Sequence, residues 1–164
     1  MKKLLVCLLV IFLCGCGTET VFETVEDGGG LPSVAPAQQL QLTFPKDAAI
    51  ETMDSIAGSC YICDAYTVCV QTLDGGNLDG TIRQLTGLSK DSLTVMTTCY
   101  DNFDRYDTVW TSVSDSGEQT GRLLILDDGK YHYAVTVMAD AESAGSLTGE
   151  WNELLNSVRL VSTD

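Results

Sequence analysis

The sequence predicts an α+β domain: an antiparallel sheet of about six strands, with a short middle helix and a C-terminal helix packed on it. Three observations carry this. Short runs such as Tyr106–Thr111 and Tyr131–Met138 alternate apolar and polar residues, the period of a half-buried strand. These runs follow one another through turn signals such as Asp74-Gly75-Gly76 and Asp128-Gly129, so neighbouring strands pair antiparallel. Only two stretches carry helical spacing: Leu78, Ile82 and Leu85, and then Leu147, Trp151, Leu154, Leu155 and Val158.

The elements follow in order. Leu40-Gln41-Leu42-Thr43-Phe44 alternates until Pro45 stops it, which reads as a short edge strand because proline donates nothing to a ladder. Ala48 to Ile56 fits neither period. Tyr61 to Thr72 is rich in Tyr, Ile, Val, Thr and Cys and reads as strand. Asn77 suits the N-cap of the middle helix and Gly87 its C-cap. Ser92 to Tyr100 is the next strand, followed by Tyr106 to Val113, the Ser114–Gly117 loop and Arg122 to Leu126. Asp128-Gly129 reads as a type I′ turn. The return strand puts Tyr131, Tyr133, Val135 and Val137 on one face and His132, Ala134, Thr136 and Met138 on the other. Glu150 and Glu153 lie early in the last helix, where the helix dipole favours negative charge. Val158 to Val161 reads as a final short strand.

The chain has 164 residues, with 9 basic and 23 acidic side chains and a formal charge of −14. That length suits one domain with an appendage, and 45% hydrophobic residues exclude a wholly disordered chain. The acidic excess excludes nucleic acid as a main partner, because phosphate binding needs clustered Lys and Arg. No GxSxG nucleophile elbow occurs. Asp74 to Gly80 fails as a calcium loop, because Gly75 and Thr86 stand where its first and last ligands should be acidic. The expectation is therefore a protein that is not an enzyme, with no metal and no cofactor.

The N-terminus says where the protein works. Met1-Lys2-Lys3 is basic and Leu4 to Leu13 is apolar, the plan of an export signal. Ten helical residues rise about 15 Å, half the roughly 30 Å of a bilayer core. Leu13-Cys14-Gly15-Cys16 resembles the lipobox of bacterial lipoproteins. That resemblance implies cleavage after Gly15 and a diacylglycerol on the sulfur of Cys16. Two acyl chains anchor a protein stably, so the expected location is the cell membrane, facing the extracytoplasmic side. The domain division is then 1–15 signal peptide, 16–39 lipidated Cys and tether, and 40–164 globular domain. The tether contains Gly28-Gly29-Gly30, Pro32, Pro36 and four acidic residues, the composition of a flexible acidic linker. Without Met1–Gly15 the chain keeps 7 basic and 23 acidic residues.

The order of elements is similar to the PsbP/Mog1-like fold, an antiparallel sheet flanked by helices. The residues that carry the resemblance are the strand ending in Phe44-Pro45, the Tyr106–Trp110 strand, the Asp127-Asp128-Gly129-Lys130-Tyr131 hairpin and the Trp151–Leu160 segment. It spans Leu40 to Val161 and implies a fold, with no catalytic residues to transfer.

Four cysteines remain after the signal and Cys16: Cys60, Cys63, Cys69 and Cys99. Export places them where disulfides persist. A two-residue turn at Asp64-Ala65 sets Cys60 opposite Cys69, leaving Cys63 to pair with Cys99. Neither turn residue is the Gly or Asn that a type I′ turn prefers. Buried thiols and a redox pair at Cys60-Tyr61-Ile62-Cys63 are the competing readings. A zinc site is disfavoured, because Cys69 and Cys99 form no second knuckle.

Two further sets bear on function. Tyr106, Trp110, Tyr131 and Tyr133 line a ligand groove in one reading and a core aromatic layer in the other. His132, the single imidazole, is a general base beside Asp127 or Asp128 in one reading and a solvent-facing strand residue in the other. The preferred expectation is a lipid-anchored, non-catalytic binding or accessory domain. Its partners are the membrane, through Cys16, and an unidentified extracytoplasmic protein or small ligand. The alternatives are a redox protein using Cys60 and Cys63, and a small-ligand-binding lipoprotein with an aromatic groove.

Overall fold

A computed structural model of the chain describes residues 38–44, 49–51, 58–114 and 117–162. The expected export signal, Cys16 and the expected tether as far as Ala37 lie outside the described residues. In chain order the elements are β1 (Gln38–Gln41), β2 (Ala49–Glu51), β3 (Gly58–Ile62), β4 (Thr67–Asp74), α1 (Leu78–Thr86), a 3-10 turn (Lys90–Ser92), β5 (Val95–Cys99), β6 (Asp104–Ser114), β7 (Gly117–Asp127), β8 (Tyr131–Asp140), α2 (Ala141–Ser157) and β9 (Arg159–Ser162).

The expected α+β class is what the chain adopts. A seven-stranded sheet runs β2-β3-β4-β8-β7-β6-β5, with every pair antiparallel. β1 does not join it. It pairs with β9 in a separate two-stranded sheet, Leu40 opposite Leu160, and begins at Gln38, two residues before the boundary read from the sequence.

Helices cover both faces, giving three layers. Under α2, the sheet presents Val68, Leu124, Leu126, Tyr133, Val135 and Val137 to Trp151, Leu154 and Leu155. Under α1, it presents Trp110, Leu123, Ile125 and Ala134 to Ile82. Neighbours in sequence therefore serve different cores: Leu123 and Ile125 face α1, Leu124 and Leu126 face α2. This explains why Arg122 to Leu126 reads as a continuous apolar run after its arginine. Each fully buried aliphatic side chain contributes about 1.5–3 kcal/mol.

Local chemistry fixes the ends. Asn77 accepts a hydrogen bond from Gly80 N at 3.0 Å, and Gly87 closes α1 in the left-handed region at φ 76°. Gly121 lies opposite Trp110 in the ladder. A Cβ there would come within 2.5 Å of the indole, so only glycine leaves the ring its place on the sheet.

The β7–β8 turn differs from expectation by one residue. Asp127 pairs with His132, and Asp128 N donates to Tyr131 O, so the central residues are Gly129 and Lys130. Gly129 has φ 84° and no other residue type takes a positive φ among the described residues. A glycine at the first central position is the signature of type II′. Asp128 then turns its carboxylate inward, accepting from Lys130 N at 2.9 Å and Tyr131 N at 2.8 Å.

Candidate functional site

Cys60 and Cys69 are directly opposite in the β3–β4 ladder and joined by a disulfide, their Cα atoms 4.2 Å apart. Cys63 N donates to Tyr66 O across the turn. Hydrogen-bonded and non-hydrogen-bonded pairs alternate from there, which puts Cys60 and Cys69 at a close, non-hydrogen-bonded position. The expected Cys63–Cys99 bond is not made. Cys63 follows β3 and Cys99 ends β5, five strand spacings away in the sheet. At about 4.8 Å per strand that is roughly 24 Å, beyond the reach of a disulfide. The redox pairing of Cys60 with Cys63 fails as well. Cys60 is bonded to Cys69, while Cys63 belongs to the core under α2, where it interacts with the Tyr66 hydroxyl.

The four aromatic residues do not form one groove. Tyr106 and Trp110 pack in the core under α1, and Tyr131 and Tyr133 in the core under α2. Tyr133 is fully buried, and its hydroxyl donates to Asp128 Oδ2 at 3.0 Å. The sheet itself separates the two pairs, because one pair sits on even positions of β6 and the other on odd positions of β8 whose cross-strand partners face away.

His132 is not solvent-facing. It is 0% exposed, with Nδ1 2.7 Å from Thr81 Oγ1 of α1 and Nε2 3.4 Å from Asp127 Oδ2. Pairing places Cys99, Asp104, Asp127 and His132 in one row across β5, β6, β7 and β8. Hydrogen bonding to Asp104, followed by its negative charge, pushes the Cys99 thiol up from its ordinary range, the opposite of what a nucleophilic thiolate needs. Burial, then the charge of Asp104, pushes the Tyr106 phenol up. No three His, Cys, Asp or Glu side chains among the described residues are placed to hold a metal ion. Cys99 at the far end of the row is exposed, whereas the imidazole of His132 is fully buried and out of reach of a substrate.

An open trough lies on the other face, beside α2. One lobe of about 410 Å³ is lined by Val109, Thr120 and Arg122 from the sheet and by Ala144, Gly145, Thr148 and Trp151 from the helix. A second lobe of about 220 Å³ continues over β5 and β6, lined by Thr94, Met96, Asp107 and Thr108. Val109 and Arg122 line both. The floor is apolar and exposed: Met96 is 64% and Val109 55% accessible. Asp107 is held by Arg105 through two contacts, 2.7 and 3.0 Å, whereas Arg122 donates to Asn152 Oδ1 at 2.5 Å and forms no ion pair among the described residues.

The opposite flank of α2 is different in character. There Thr43, Phe44 and Leu154 line a cavity of about 220 Å³ with Glu150 and Glu153, and Tyr66 donates to Glu150 Oε1 at 2.5 Å. Sequence reasoning missed the trough because its walls come from β5, β6, β7 and α2, far apart in the chain. One signal was present: Gly145 inside the last helix, which costs about 1 kcal/mol relative to alanine.

No known protein family matches this chain, and no curated protein matches its sequence. Among the described residues no helix is long and apolar enough to cross a membrane. Solved structures do share its shape. The solution structure of cyanobacterial PsbP (CyanoP) from Synechocystis sp. PCC 6803 aligns with TM-score 0.55 and 11% identity over 79% of this chain and 96% of that one. LpqN of Mycobacterium tuberculosis, described as involved in cell envelope biogenesis, aligns with TM-score 0.52 and 10% identity over 81% and 89%. A Bacteroides thetaiotaomicron VPI-5482 protein aligns with TM-score 0.50 and 14% identity over 76% of this chain, which spans 45% of that longer one. At these identities the likeness is one of fold, and the domain has the PsbP-like α+β fold.

Proposed function

We propose that this is a non-catalytic binding domain, held outside the cell membrane by a lipid on Cys16. The observation that carries the binding reading is the trough beside α2, with its exposed apolar floor and polar rim. Concave, largely apolar surfaces with a few placed polar groups are where small ligands bind. The single imidazole, His132, is buried under α1 with Thr81 on its Nδ1, which supports binding over catalysis.

The anchor rests on Leu13-Cys14-Gly15-Cys16. A fold shared with a protein described as involved in cell envelope biogenesis supports an extracytoplasmic setting. Fractionation tests it. Cys16→Ala is expected to lose lipid labelling and move the protein from the membrane to the soluble fraction. Retention in membranes after a salt wash would place the attachment elsewhere.

A further inference from the structure

The trough carries one guanidinium with hydrogen-bond donors to spare. Arg122 has five N–H donors; the recorded bond is to the Asn152 amide oxygen, with no carboxylate to neutralise its charge among the described residues. A ligand that brings an acceptor meets guanidinium N–H groups beyond the one given to Asn152.

The charges in the lining select the ligand's sign. Asp107 is the one carboxylate there, and Arg105 already holds both its oxygens. The net charge of −14 attracts cations to the molecule as a whole, yet within the trough a cation meets Arg122 and an already paired Asp107. An anion meets an uncompensated guanidinium, which binds carboxylate, sulfonate or phosphate through parallel N–H donors. The floor of Met96 and Val109 suits an apolar body. Gly145 leaves room at the wall, since a Cβ there would meet nothing within 4 Å.

We propose that the trough binds a small amphiphilic anion: one carboxylate, sulfonate or phosphate on an apolar body, its head on Arg122 and its body across Val109 and Met96. This rests on the binding-domain reading above and specifies its ligand class.

Two dyes separate the anion from the apolar surface: 8-anilinonaphthalene-1-sulfonate and its uncharged counterpart N-phenyl-1-naphthylamine. Both are titrated by fluorescence into the protein carrying Cys16→Ala, so that acyl chains do not take up dye. Saturable binding of the sulfonate is expected. Arg122→Gln should weaken it roughly ten- to hundredfold, the worth of a charge-assisted contact, and leave the uncharged dye unchanged. Gly145→Leu, at an exposed helix position that gains helix propensity, should block both dyes.

If Arg122→Gln leaves the sulfonate affinity unchanged while Gly145→Leu still blocks both dyes, the trough binds but the anion inference fails. If neither dye binds, or Gly145→Leu changes nothing, the trough is not a ligand site, and the binding reading loses its support as well.

Discussion

Tyr66 shows how one residue ties the layers together. It closes the β3–β4 turn, is 5% exposed, packs its ring edge-on against Trp151 and gives its hydroxyl to Glu150 of α2. Burial first, and then the hydrogen bond to Glu150, hold its phenol above the ordinary tyrosine range. Tyr133 is raised for the same leading reason, with Asp128 as its acceptor. Ionising either places a phenolate in the core beside a carboxylate, so the neutral form is strongly favoured. The folded chain holds these protons more tightly than the unfolded chain. Their contribution is complete below the ordinary tyrosine pKa of about 10 and is lost as pH rises above it. Urea midpoints are expected to fall between pH 9 and pH 11, and to fall less in Tyr66→Phe, which has no phenol to ionise there. Equal falls in both proteins would show that Tyr66 titrates normally.

At the scale of elements, the β3–β4 hairpin is the most constrained unit. Its disulfide joins residues nine apart in sequence, and closing so short a loop restricts the unfolded chain by about 2.5 kcal/mol in the chain-entropy account. The double variant Cys60→Ala/Cys69→Ala is expected to lose about that much stability by urea denaturation. The ladder partners Tyr61–Val68 and Ile62–Thr67 keep the register in its absence. A loss near zero would mean that the unfolded hairpin is already compact.

This hairpin also marks how far the sequence could be read. Cys60 opposite Cys69 was legible because a hairpin's register is local: once the turn is placed at Asp64-Ala65, every partner follows. The caps of α1 were legible for the same reason, each depending on a single residue, Asn77 or Gly87. Strand order was not. Pairing Cys63 with Cys99 and grouping Tyr106 and Trp110 with Tyr131 and Tyr133 both required knowing that β4 lies beside β8 and that β5 sits at the far edge. His132 read as solvent-facing because its strand alternates normally, and only the docking of α1, with Thr81 on its ring nitrogen, buries that face. The trough needed both pieces of knowledge, strand order and helix placement.

At the scale of the whole molecule, charge and the proposed anchor act in opposite directions. From Leu40 to Asp164 the chain has 7 basic and 19 acidic residues, and four further acidic residues lie in the 16–39 segment. Anionic headgroups attract basic segments by about 1 kcal/mol per Lys or Arg, and the same field repels a surface in which acids outnumber bases this heavily. The repulsion reaches about one Debye length, 8–10 Å at physiological salt. A random coil of the length proposed as a tether has a root-mean-square span of about 25–30 Å, longer than the reach of that field. On the proposed anchoring, membrane attachment depends wholly on the acyl chains, with no electrostatic share. The protein carrying Cys16→Ala is accordingly expected not to sediment with phosphatidylglycerol-containing vesicles at low salt, where any electrostatic attraction is strongest. Sedimentation at low salt that is reversed at high salt would reveal a basic face turned to the membrane. The domain would then lie on the bilayer, and the trough's ligand would have to be reached along the membrane surface.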